Sequence, residues 1–147
     1  MSSSRHDEQD DRPEAVQQAE QGAQAWRAVV HAQGSATADH SDFYALAGHL
    51  VDTLAAVESL ARLLAGQVAR YADGQPAGRV VYDDSRTFDP AVRLHDAVLD
   101  LGHLADGAAV ARGDADRFWS AISHIGVEDT HTSAGPDAGP TDDELSR

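Results

Sequence analysis

The chain has 147 residues, one domain's worth, and 25 acidic residues against 11 basic ones give it a formal net charge of −14. That balance argues against a direct grip on a nucleic-acid backbone or an anionic membrane surface, both of which are held by basic residues. Cysteine is absent, which rules out disulfides and thiolate metal sites.

No apolar run approaches the roughly 20 residues a membrane helix needs, and the start, Met1 to Arg12, has no apolar core like that of a signal peptide. A cytoplasmic location is therefore expected. All 11 basic residues are arginine, and lysine and asparagine are missing, the usage of a GC-rich bacterial genome.

Residues 1–12 are serine and charge, and such a segment buries too little surface to offset its ordering entropy, so a disordered tail is expected there. From Pro13 the pattern becomes helical. Glu14 falls in the first turn, and Val16, Ala19, Ala23, Trp26 and Val30 follow at heptad spacing before Gly34, which predicts a helix over 13–33. After a short connector, Asp39 or Ser41 is placed to cap the longest periodic stretch of the chain. There Phe43, Ala47, Leu50, Leu54, Val57, Ala61, Leu64, Val68 and Tyr71 recur at steps of four and three, the signature of helix packed on helix. This predicts a second helix over 41–73, with Gly74 as its left-handed stop.

Gly74, Pro76 and Gly78 forbid helix in the next segment. Arg79 to Tyr82 reads as a short extended piece lying over the end of a hairpin, or, less in keeping with a chain that has no other strand, as a docking strand. Asp89 as cap and Pro90 in the first turn begin a third helix, expected over 89–125, on a seam of Leu94, Val98, Leu101, Ala105 and Ala108. Arg112, Ala115, Trp119 and Ile122 continue that line if the helix runs through Gly113. Residues 127–147 are again polar and acidic, a second disordered tail.

The expected fold is all-α: an antiparallel hairpin of two long helices with a shorter N-terminal helix over one flank, a three-helix bundle filling residues 13–126. Taking the loop's midpoint as the crest makes facing residue numbers sum to roughly 162. Leu54 and Val57 then face Ala105 and Ala108, Arg62 stands level with Asp100, and Arg112 reaches toward Asp52.

Eight histidines and many aspartates raise the question of a metal. Asp96, Asp100 and His103 share one helical face at spacings of four and three, with His49 and Asp52 a second pair, but the Asp96 face points away from the seam and the two sets stand apart along the bundle. A solvated face is the expectation, with no metal and no cofactor. No serine stands in a nucleophile elbow and no glycine loop cradles phosphate, so no enzyme activity is expected.

What the helices carry in surplus is apolar surface beside the seams: Leu46, Leu60 and Leu63 on the second, Val92, Leu99 and Val110 on the third. The expectation is a protein–protein interaction or assembly module, with self-association or a protein partner. The alternatives are a small metal- or ligand-binding bundle, or an accessory of a DNA-handling complex that acts through a partner.

Overall fold

The computed structural model describes residues 12–37 and 39–126. The two expected tails lie outside the described residues, apart from Arg12. Three α-helices are present, α1 over Glu14–Ser35, α2 over His40–Ala69 and α3 over Pro90–Ser123, and no strand occurs among the described residues. The chain divides into two compact units, one ending at Phe43 and one beginning at Tyr44.

In the first unit, the carbonyl of Pro13 accepts from the amides of Val16 and Gln17 and so starts the ladder of α1, with Glu14 favourably placed near the positive end of the helix dipole. The helix outlasts Gly34 by one residue, and extended backbone at Ala36 ends it. None of its residues is fully buried: Trp26 is half-buried, and Val16 and Val30 are exposed. Asp39 provides the expected cap at the start of α2, its carboxylate accepting from the amide of Ser41 at 2.7 Å and from the Ser41 hydroxyl. The hydroxyl bond first, then the amide, holds the Asp39 carboxyl below its ordinary range.

From Tyr44 onward the structure is a hairpin of α2 and α3. Helix α2 ends four residues earlier than predicted, because the amides of Arg70 and Tyr71 bond to the carbonyls three residues back and tighten the last turn. Gly74 accordingly does not serve as a left-handed stop. Among the described residues the positive φ values belong to Gly78, at 90°, and Arg86, at 52°. Asp89 caps α3 through the amide of Ala91 at 2.9 Å, with Pro90 opening the helix as predicted.

The two helices meet on small residues. Ala47 and Ala61 of α2 and Ala105 and Ala108 of α3 are the buried core, each at 6% exposure or less, and no larger side chain is fully buried among the described residues. Alanine at the contact lets two backbones approach closely, but each methyl removes far less apolar area from water than a leucine would.

The register differs from the expected one. Glu58 pairs with Arg112 and Arg62 with Asp106, so facing numbers sum to about 168–170 in place of 162, and both arginines find acids six residues further along than Asp52 and Asp100. The cause is an asymmetric loop. Ala69 and Ala72 share one shallow cavity wall with Ala91, Leu94, His95 and Val98, so α3 begins well before the level at which α2 ends, and the loop is laid along its first turns. Its midpoint is not the crest.

The third helix runs unbroken through Gly113, where an added Cβ would meet only the Arg117 guanidinium at an ordinary 3.6 Å. Gly113→Ala is therefore expected to stabilise the protein by about 0.5–1 kcal/mol, since alanine adopts the native conformation and restricts the unfolded chain. Chemical denaturation of the two proteins measures the difference, and a loss of stability would contradict an unbroken helix.

Candidate interaction surface

The two sides of the hairpin are chemically unlike. One side carries charge. Glu58, the sole glutamate within α2 and α3, has its side chain only 19% exposed and accepts from Arg62 at 3.2 Å and from Arg112 at 3.3 Å, while Arg62 also reaches Asp106 at 3.5 Å. Two cations on one half-buried carboxylate, with an acid of the opposite helix closing the chain, make a clasp that fixes the axial level of α2 against α3.

The other side is apolar, and the helical repeat defines it. At about 100° per residue, Leu50, Val57 and Leu64 lie roughly 60° round from the line Ala47–Leu54–Ala61. On α3, Ala97, Leu104, Ala111 and Phe118 lie roughly 80° round from Ala105 and Ala108, in the same rotational sense, with the exposed acid Asp100 on the line of Phe118. Because the helices are antiparallel, equal rotations carry both rows to one side, opposite the side on which Arg62 meets Asp106. The α2 row reads Leu46, Leu50, Thr53, Val57, Leu60, Leu64, Gln67 at unbroken steps of four and three, with Tyr71 in the turn just past the helix end, and contains no charged residue.

These positions remain open. Leu50, Val57 and Leu64 are each 37% exposed, Leu60 49% and Leu104 52%. Val57 thus does not face Ala105 and Ala108 as expected, and Leu50, Val57, Leu64 and Tyr71 of the predicted seam belong to this outer row. The six flanking residues named from the sequence are divided by the structure. Leu46 and Leu60 lie in the row and Leu63 at its margin, whereas Val92, Leu99 and Val110 are exposed on a different face of α3, more than roughly 120° from its buried alanines. Leu104 and Phe118 complete the apolar side and are legible in the sequence only as part of a second heptad register that runs parallel to the seam.

Asp96, Asp100 and His103 are exposed on α3, with Asp100 bordering the apolar row on the line of Phe118, and His49 is exposed on α2. Among the described residues, no group of three or more His, Asp or Glu stands close enough to hold a metal ion. Tyr44 packs its ring 5.5 Å from that of Trp119, which also lies against Gly48. The Trp119 indole N–H is buried without a hydrogen-bond partner among the described residues.

The loop is tied down by Asp83. Its carboxylate accepts from the Ser85 hydroxyl and from Arg93 at 3.3 Å; the hydroxyl first, then the guanidinium, hold it below its usual range against the opposing effect of desolvation. Arg93 lies over the Phe88 ring and Arg86 over the Tyr82 ring. Residues 79–83 form neither helix nor strand, and Val81 is half-buried beside Pro90, Arg93 and Leu94.

No family model, no curated protein and no solved structure matches this chain. Among the described residues no helix is long and apolar enough to cross a membrane.

The clasp makes a quantitative prediction. In a double-mutant cycle on Glu58→Ala and Arg112→Ala, the coupling is expected at about 0.5–1 kcal/mol, falling as salt is added. Asp100→Ala, removing an exposed acid of α3, should change stability by under about 0.5 kcal/mol. Thermal or urea unfolding reads both, and a larger loss for Asp100 than for Glu58 would contradict the register in which Glu58 meets Arg112.

Proposed function

We propose that the protein is a non-enzymatic interaction module, which works by docking the apolar side of its hairpin on another protein surface. The observation that carries this reading is the row from Leu46 to Tyr71, in which Leu50, Val57, Leu60, Leu64 and Tyr71 are each more than a third exposed while the buried core consists of four alanines. Apolar side chains in such a continuous band mark surfaces meant to be covered. The shallow cavity between the two helices near the loop supports the reading as well, being lined by alanine, leucine and valine with His95 in place of a set of convergent titratable groups. The partner is a protein, not a nucleic acid or a membrane, in keeping with a charge of −14, and the cytoplasm is the proposed setting.

A photoreactive benzoylphenylalanine at position 60, introduced in the native host, should form protein adducts on illumination, whereas the same residue in place of exposed Asp96 should not. Equal labelling from both positions, or none from position 60, would remove the proposal.

A further inference from the structure

We infer that residues 79–83 are a docking edge for an extended segment of another protein, which binds by laying its backbone alongside them as an added strand. The inference stands apart from the reading of the row between Leu46 and Gln67 and does not depend on it.

The backbone is the first argument. From Arg79 to Asp83 the chain makes no turn or bend, and its exposure alternates: Val80 and Tyr82 are 82% and 60% exposed, while Val81 and Asp83 are half-buried. A period of two is that of a strand, and valine, valine and tyrosine in succession suit one. Among the described residues, however, no hydrogen bond takes up the amides of Val80, Val81, Tyr82 and Asp83 or the carbonyls of Arg79, Val80, Val81 and Tyr82. The free stretch is bounded at both ends, where the Arg79 amide donates to Pro76 and the Asp83 carbonyl accepts from the amide of Arg86. A helix keeps its own backbone groups paired and cannot answer such a row. A second extended backbone does, donor to acceptor.

Anchorage is the second. Val81 lies beside Pro90, Arg93 and Leu94, and the Asp83 carboxylate accepts from the Ser85 hydroxyl, from Arg93 at 3.3 Å and from the amide of Phe88. Both inward side chains are thus fixed against the start of α3. The edge holds its shape before a partner arrives, which spares the ordering entropy that a loose loop would lose on binding.

Room is the third. Tyr71 and Gln75, from the turn after α2, line a cavity of about 360 Å³ together with residues 79–82. Tyr71 and Tyr82, the latter with the Arg86 guanidinium over its ring, give that cavity aromatic walls for the alternate side chains of an added strand.

An added strand engages every second residue, so the partner pairs either with Val80 and Tyr82 or with Val81 and Asp83. The test uses the full-length chain, with a phage-displayed library of short random peptides as the probe. When a selected peptide is bound to isotope-labelled protein, amide exchange followed by NMR should slow by about tenfold or more at one of those two pairs and not at the other. Proline in place of the first residue of the slowed pair removes a donor that the free chain leaves unused. It should weaken peptide binding by about tenfold or more while circular dichroism and thermal unfolding remain those of the parent. The inference is overturned if no peptide is selected, if the bound peptide is helical, or if the slowed amides do not alternate. Peptides that protect the α2 row instead would overturn it too, and would leave the reading of the apolar side standing.

Discussion

Everything in the hairpin depends on small residues at its seam. Ala47, at the Trp119 end, and Ala61, level with Ala105 and Ala108, are buried at the cost of a thin core, because the larger side chains of both helices are left half-buried or exposed. A core of leucines would have held the helices further apart and buried the side chains that stand open here. Small residues at the centre and large ones beside it are thus one decision of the sequence seen in two places.

The charges follow from the same geometry. With so little apolar burial between the helices, something directional has to choose one axial level among several that differ by a turn, and Glu58 with its two arginines does so on the side where small residues leave room. Arginine suits this because its planar fork reaches two acceptors, as Arg62 does with Glu58 and Asp106.

Much of this architecture is legible in the residues. Three helices, their caps at Asp39 and Asp89, the proline starts and the continuity of α3 all follow from spacing and local chemistry, which act within a few residues. Register is not legible, since it depends on how an asymmetric loop is laid against α3, and tethers such as Asp83 to Arg93 span ten residues in which the sequence shows no period. The outer row escapes a reading by period for a different reason. A run of apolar residues at steps of four and three contains two registers, and Val57 and Leu64 fit either until the positions of the buried alanines separate them. Glu58 carries a usable signal, as the sole glutamate within the long helices.

The placement of the two tryptophans gives the chain an optical property. Trp26 lies on α1 in the first compact unit, and Trp119 lies in the second, packed on Gly48 with the Tyr44 ring close by. Each unit therefore contains one tryptophan of its own. Excitation absorbed by Tyr44 passes to Trp119 over a few ångströms, so loosening of the hairpin's open end is written into the tyrosine share of the emission, while Trp26 records α1 separately.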